Sequence, residues 1–312
     1  MKYSFASTVT LSIGILALAG SSALAQTTVF SDDFATDASD PTGSYLLGVS
    51  GGTESWTSGT GITLSGSAGG KLEDLIGSFS TVALANSGDY VSFVVNFNSP
   101  NIANTGANSG DINFALDNTG GTAPGTGTEA VSSSSTGGTT AGYLGYFGNI
   151  GFNSTPKTSS KMFARTGGPN NNLDYSSNVS SKAQVGANIA GGSNATLVNS
   201  DSYTLTYTIT ALNTGASQLQ ITEQVYDNTL NSMVDNFTTP ATNGPAVYDT
   251  PSSSFNAFDI GLYTGSAASG YNLNVSEVQV LTDVTASPEP TVLALGSSGL
   301  VLLSLIRFRR RN

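Results

Sequence analysis

Residues 202–227 read SYTLTYTITALNTGASQLQITEQVYD. Tyr203, Leu205, Tyr207, Ile209 and Ala211 fall at every second position, and Thr204, Thr206, Thr208 and Thr210 fill the gaps. A period of two is that of a strand with one face in a core and the other toward water. After Asn213-Thr214-Gly215-Ala216, a second run places Leu219, Ile221 and Val225 on one side. Two alternating runs about an Asn/Gly turn predict an antiparallel hairpin.

The same reading extends outward. In DYVSFVVNF (89–97), Val91, Phe93, Val95 and Phe97 point one way. TVFSDDF (28–34), GITLSG (61–66), FSTVALA (79–85), INFAL (112–116), FNAFDIGLY (255–263) and YNLNVSEVQVLTD (271–283) also read as strands. No long amphipathic helix interrupts them. Many short strands with Gly-rich turns predict an all-β chain folded as a two-sheet antiparallel sandwich. The expected domain runs from 26 to 285. Residues 117–142, DNTGGTAPGTGTEAVSSSSTGGTTAG, are low in complexity and are expected to form a flexible surface loop rather than a boundary between half-domains, because neither half has an evident core of its own.

Composition agrees with an exported β protein. Only 10% of the 312 residues are charged, against roughly 25% in an average domain. Polarity comes from hydroxyls and amides. The 37 glycines suit turns, and the 38% of hydrophobic residues is ample for a core. The chain has no Cys and no His, which excludes disulfides, thiolate or imidazole metal ligands and every catalytic scheme built on those groups. A net charge of −11 opposes nucleic-acid binding, which needs clustered Lys and Arg on phosphate.

Both ends read as addresses. Residues 1–25 start with Lys2, continue through an apolar stretch around Leu11–Ala19 and end in Ala23-Leu24-Ala25. The run is short for a membrane span, and the small residues Ala23 and Ala25 sit where signal peptidase needs them, so cleavage before Gln26 is expected. Residues 291–306 contain no charge and are followed by Arg307, Arg309, Arg310 and Arg311 within the basic tip 307–311. An arginine cluster after an apolar helix acts as a stop-transfer signal that stays cytoplasmic, and snorkelling lets a short transmembrane helix fit. On hydropathy alone the same run could be a buried terminal helix.

Pro288-Glu289-Pro290 precedes that run. Alone, two prolines make a stiff entry to a helix. In this order, Ser287-Pro288-Glu289-Pro290, the apolar segment and the arginine cluster resemble a PEP-CTERM sorting signal over residues 286–312. The resemblance implies processing near Pro288-Glu289-Pro290 by an exosortase in a Gram-negative-type bacterium that makes exopolysaccharide. It also implies transient anchoring in the inner membrane, then release to the cell surface or biofilm matrix. A chain cut after Ala25 and ending at Pro290 keeps five basic residues (Lys71, Lys157, Lys161, Arg165 and Lys182) against 21 acidic ones, a net charge of −16. Such a charge favours solubility. Strand order carries a second resemblance: the mature chain opens with TVFSDDF and its body closes with YNLNVSEVQVLTD, similar to laminin-G-like or concanavalin-type jelly rolls, in which first and last strands pair.

Local chemistry is sparse. The six Glu residues (54, 73, 129, 223, 277 and 289) are scattered, without the E-x-D-x-x-E run typical of concanavalin-type glycosidases. Glu223 lies among apolar neighbours, and an outward position or one beside a bulge is expected for it rather than a groove. Ser154-Thr155-Pro156-Lys157 matches S-x-x-K, but its proline and its Asn/Gly/Ser flanks make it a loop. GYLGYFGNIG (142–151) has Gly142, Gly145, Gly148 and Gly151 at every third place, without the Pro of collagen or the Lys-Ser/Thr of a phosphate loop, and reads as a curved strand. Its Tyr143, Tyr146 and Phe147 suit core packing better than a sugar-binding surface. No cofactor is called for. With only oxygen ligands left, a structural calcium ion is the one plausible metal, with Asp32, Asp33, Asp174 and Glu277 as candidate ligands. Five N-x-S/T sequons start at Asn153, Asn178, Asn194, Asn236 and Asn274, as chance allows in this composition.

Two functions fit these observations. One is a surface or matrix protein whose jelly roll binds glycan, or merely coats, without catalysis. The other is a secreted carbohydrate-active enzyme with a divergent carboxylate pair. The lack of His and of a carboxylate motif favours the first, while a single tryptophan, Trp56, weakens sugar stacking. The partners implied are signal peptidase, an exosortase-type enzyme and an exopolysaccharide.

Overall fold

A computed structural model of the chain describes residues 26–49, 51–66, 72–99, 101, 110–130, 142–152, 161–166, 182–184, 197–239, 252–264 and 271–284. Within these lie sixteen strands and one turn of 3₁₀ helix, Thr42–Ser44. In chain order they are β1 (Thr27–Asp32), β2 (Leu46–Val49), β3 (Thr53–Thr57), β4 (Gly61–Gly66), β5 (Leu72–Ala83), β6 (Tyr90–Asn98), β7 (Gly110–Asn118) and β8 (Gly127–Ala130). There follow β9 (Leu144–Phe152), β10 (Lys161–Thr166), β11 (Lys182–Gln184), β12 (Ser202–Ala211), β13 (Leu219–Asp227), β14 (Ser232–Thr238), β15 (Ser254–Tyr263) and β16 (Tyr271–Asp283).

They form two sheets. Sheet A runs β14-β13-β12-β6-β16-β4-β3, with β1 also paired to β16; sheet B runs β11-β10-β9-β7-β15-β5-β2-β8. Every pair is antiparallel except β2 with β8. The predicted hairpin is β12–β13, in register from Tyr203–Asp227 to Ala211–Leu219. Its loop closes with Ala216 N–H on the Asn213 carbonyl at 3.1 Å, and Gly215 takes a φ of +82° that favours glycine. The first and last strands pair as expected, Thr27 opposite Thr282 and Asp32 opposite Val278.

One expectation shifts. Within 117–142, Asp117 and Asn118 end β7 and Gly127–Ala130 forms β8, pairing in parallel with β2. Backbone pairing needs no apolar alternation, so composition alone could not reveal this strand; residues 131–141 lie outside the described residues. GYLGYFGNIG is strand, as expected, and Leu144–Phe152 lies between β7 and β10. The signal segment through Ala25, the sorting tail with Pro288-Glu289-Pro290 and its arginines, Ser154–Lys157, Asp174 and the sequons at Asn153, Asn178 and Asn194 all lie outside the described residues. Among the described residues no helix is long and apolar enough to cross a membrane.

The core fills the space between the sheets. Phe258 on β15 is its hub, 5.0 Å from Phe93 on β6 in a stacked pair, 5.1 Å from Phe30 and 6.4 Å from Tyr45. Its ring lies over Gly77, its register partner on β5, where a Cβ would sit 2.2 Å from Cζ. Tyr207 of β12 meets Phe114 of β7 edge-on at 4.9 Å, which ties the hairpin to sheet B. Aromatic pairs of this kind add about 0.5–1.5 kcal/mol each beyond area burial.

Candidate functional site: the outer face of sheet B

The face of sheet B turned away from sheet A departs from the rule for a sandwich. Outer faces are normally solvated and polar. Here they are polar and buried. On β15, Phe258, Ile260 and Leu262 enter the core, so Asp259 and Gly261 point outward. On β7, Ile112, Phe114 and Leu116 enter the core and leave Asn113, Ala115 and Asp117 outside. On β5, Leu75 is in the core, and Asp74 and Ile76 belong to the outer face. Asp74, Asp259 and Asn113 are 0% exposed and Asp117 is 2% exposed.

Register arranges these residues in rows. Asp74, Gly261 and Asn113 stand side by side on β5, β15 and β7. Ile76, Asp259, Ala115, Phe147 and Phe163 form the next row, and Ala257, Asp117, Gly145 and Arg165 the third. Small residues occupy the middle of each row. The Asp74 carboxylate lies over Gly261, where a Cβ would be 2.1 Å from Oδ1. Gly145 has the same role between Asp117 and Arg165: its missing side chain lets the two charges meet, with Arg165 Nη1 4.0 Å from Asp117 Oδ2.

Apolar groups frame this floor. Phe147 and Phe163 stack at 5.0 Å. Tyr143, which leads into β9, packs with Leu46 and Ile76 and lies under the Arg165 guanidinium, 5.8 Å from its ring centroid. Tyr146, by contrast, is in the inter-sheet core, as expected of it.

The electrostatics follow from burial. Desolvation pushes the Asp74 carboxyl well above the usual carboxylate range, and the negative charges of Asp259, Glu73 and Glu54 push it further; Arg165 opposes them. Among the described residues neither oxygen of Asp74 accepts a hydrogen bond, nor does Oδ1 of Asn113. Asn113 Nδ2 donates weakly to the Asp111 carbonyl, 3.4 Å away. Burial lifts Asp117 to about 6, despite the attraction of Arg165. Behind this face, between the sheets, Glu73 accepts from the Gly52 N–H and shares a carboxyl hydrogen bond with Glu54 of β3, whose carboxyl is also pushed up by burial.

Several residues singled out in the sequence lie elsewhere. Glu223 is fully buried on the core side of β13, opposite Tyr207 and Phe237. The outward position expected for it is therefore corrected: period two places it with Ile221 and Val225, and the β13–β14 bulge falls between Val225 and Tyr226. Trp56 is held in structure, its Nε1 donating to the Phe34 carbonyl at 2.8 Å. Asp32 pairs opposite Val278 and accepts from the Tyr45 hydroxyl, whereas Glu277 accepts from Asn96 at 2.7 Å on the outer face of sheet A. Asp32 and Glu277 thus have separate partners, and among the described residues no group of three or more His, Cys, Asp or Glu side chains could hold a metal ion.

No family profile matches the chain, and no curated protein does. Solved structures do resemble it. The carbohydrate recognition domain of Emp46p in its metal-free form aligns over 84% of this chain and 100% of that one, at 13% identity and a TM-score of 0.48. Peanut lectin bound to a nine-residue peptide aligns over the same shares at 10% identity and a TM-score of 0.44. A CBM2 module from the evolved Dit protein of Lactobacillus casei BL23 phage J-1 covers 84% of this chain and 98% of its own, at 12% identity and a TM-score of 0.46.

Asp74, Asp259, Asn113 and Asp117 were missed in the sequence because they come from three strands far apart in the chain. Each does carry a local signal, an acid or amide inside an otherwise apolar strand, as in LEDLIG, FDIG and ALDN.

Proposed function

We propose that the chain is an exported bacterial surface or matrix protein whose sandwich binds glycan without catalysis, on the outer face of sheet B. The observation that supports this most is the row arrangement: carboxylate and amide acceptors around a floor of Gly261, Ala115 and Gly145, framed by Phe147, Phe163 and Tyr143. Sugar hydroxyls are donors that such acceptors satisfy, and aromatic rings offer the apolar face a pyranose needs. The purified chain is expected to be retarded in gels containing the polysaccharide of its own producer. Exchange of Asn113 for Leu is expected to abolish the retardation at unchanged melting temperature; no retardation by any polysaccharide in a broad panel would refute glycan binding.

Travel to that matrix rests on the terminal segments. Signal peptidase cuts between Ala25 and Gln26, Arg307, Arg309, Arg310 and Arg311 hold the intermediate, and an exosortase cuts near Pro288-Glu289-Pro290. Mass spectrometry of matrix material is expected to lack peptides from RFRRRN. Their recovery, or an unchanged protein size in an exosortase-deficient strain, would overturn this route.

One observation favours a second reading. A carboxyl kept protonated by burial beside another carboxylate is the pattern of a general acid in glycoside hydrolysis, and Asp74 beside Asp259 has it. Hydrolysis of a polysaccharide that is lost in Asp74→Asn would establish that reading in place of simple binding.

A further inference from the structure

The crossing from sheet B to sheet A holds a pair of carboxyls with a different use. Gly51 and Gly52 lie on the path from β2 in sheet B to β3, the edge strand of sheet A. Glu73 of β5 holds that crossing by accepting from the Gly52 N–H. The fit is close: a Cβ on Gly52 would lie 2.1 Å from the Ser65 carbonyl oxygen and 2.2 Å from Glu73 Oε1. Two residues further on, the carboxyl of Glu54 hydrogen-bonds that of Glu73. Glu54 and Trp56 share the inward face of β3, opposite Leu64 and Ile62 of β4.

Two carboxyls in hydrogen-bond contact hold together through a proton. With one proton, an O–H donates to a carboxylate, a strong bond in a site kept from water. With none, two like charges press against each other. The surroundings do not relieve them. In register, Glu73 stands beside Val49 of β2 and Leu262 of β15, and Glu54 beside Leu64 of β4, none of which ionises. Asp74 lies on the far face of β5, in register through Gly48 with Glu129 of β8, and Asp259 and Arg165 act on it there. Burial raises the Glu54 carboxyl above its ordinary range. The pair therefore keeps its proton beyond the pH at which a free carboxyl loses it, and sheds it as pH rises further.

What the proton holds is an edge. Among the described residues β3 pairs with β4 alone, so it can part from β5 without breaking a central ladder. Trp56, the one tryptophan of the chain, goes with it: it packs half-buried against the core, and its Nε1 donates to the Phe34 carbonyl at 2.8 Å.

We propose that Glu54 and Glu73 form a proton-held clasp fastening β3 to sheet B, and that loss of the proton releases β3 with Trp56 while the rest of the two sheets stays folded. The clasp lies between the sheets and is independent of glycan binding on the outer face of sheet B.

Trp56 reports on it directly. Fluorescence of the purified chain is read from about pH 4 to about pH 9, with circular dichroism alongside. Emission is expected to move reversibly to longer wavelength as pH rises, and quenching by acrylamide to increase, while the β-sheet dichroism holds. Glu54→Gln supplies an amide that donates to Glu73 with no proton to lose, and its emission is expected to keep the short-wavelength position throughout. Glu73→Gln keeps an acceptor for Gly52 and a donor for Glu54, and the same constancy is expected of it, so one variant suffices if the other fails to fold. Constant emission in the unaltered chain would overturn the clasp. A shift that survives in a folded Glu54→Gln or Glu73→Gln variant would overturn it too, and its removal by Asp117→Asn would then assign it to the outer face of sheet B. Dichroism lost in step with the emission would overturn it by showing that the whole sandwich unfolds.

Discussion

The two sheets present polar outer faces that are built on opposite plans. On sheet A the face is made of hydroxyls and amides that satisfy one another. Ser92 and Thr208 meet at 2.8 Å, Thr204 donates to Asn96 at 2.7 Å, Asn274 donates to Asn98 at 2.8 Å and accepts from Thr63 at 2.9 Å. Apart from buried Ser92, these residues are partly open to water, so each bond is worth little and none is critical. On sheet B the polar residues are fewer, ionisable and buried, and some of their oxygens lack a donor among the described residues. A sheet face of the first kind is inert cladding. One of the second kind costs stability, and such a cost persists at functional sites.

Both faces hang on the core between them, and that core is where the largest effect is expected. Phe258 touches Phe93 and Phe30 of sheet A while its neighbours Asp259 and Ala257 belong to the outer face of sheet B. Phe258→Ala should cost about 3–5 kcal/mol. For a domain of this size that lowers the melting temperature by roughly 10 °C. Calorimetry measures it. A loss under about 1 kcal/mol would mean that the sheets are not joined through this ring.

How much of this was legible in the sequence also differs between the faces. Sheet A could be read directly: SYTLTYTITAL and LQITEQVYD alternate because one side is buried and the other wet, and register then follows from the turn. Sheet B resisted. Its strands are buried on both faces, so FNAFDIGLY and INFAL read as apolar runs in which period two carries no information about which face is functional. The rows exist only through long-range register, with Asp74 and Asn113 brought to Gly261 from strands 187 and 148 positions away in the chain. Glu223 shows the converse failure. The alternation placed it inward, and its charge argued it outward, but the core accepts it opposite Tyr207.

A pH titration sharpens the contrast between the faces. Burial raises Asp117 from its ordinary value to about 6. The sign follows from linkage: a carboxyl whose folded value is raised contributes stability that is fully present below its unfolded value, near 4, and is lost as pH rises through about 6. Asp74, raised in the same direction by burial, adds to the loss. From pH 4 to pH 7, Asp117 alone should cost up to about 3 kcal/mol. Asp117→Asn should flatten that part of the curve. Chemical denaturation at a series of pH values decides the matter; a curve for Asp117→Asn that overlays the original would show that this carboxyl does not drive the loss.

The smallest effect belongs to sheet A, and its size tests whether that face is cladding. Asn96 is the best connected residue there. Its Nδ2 donates to Glu277 Oε2 at 2.7 Å, its Oδ1 accepts from Thr204, and Gln279 donates to the other Glu277 oxygen at 2.5 Å. In Asn96→Ala, water can reach the groups left behind, because Glu277 and Thr204 are only half-buried. A cost of about 1 kcal/mol is therefore expected. Asn96→Asp is the more telling change. Thr204 can still donate to the new carboxylate, but the bond to Glu277 is replaced by repulsion between two like charges, which favours a larger loss than in the alanine variant at neutral pH. Denaturation of the two variants at pH 7 should thus show the aspartate variant as the less stable. Equal stability of the two would mean that the Asn96–Glu277 contact carries no free energy, and that the hydroxyl and amide network of sheet A is geometry alone.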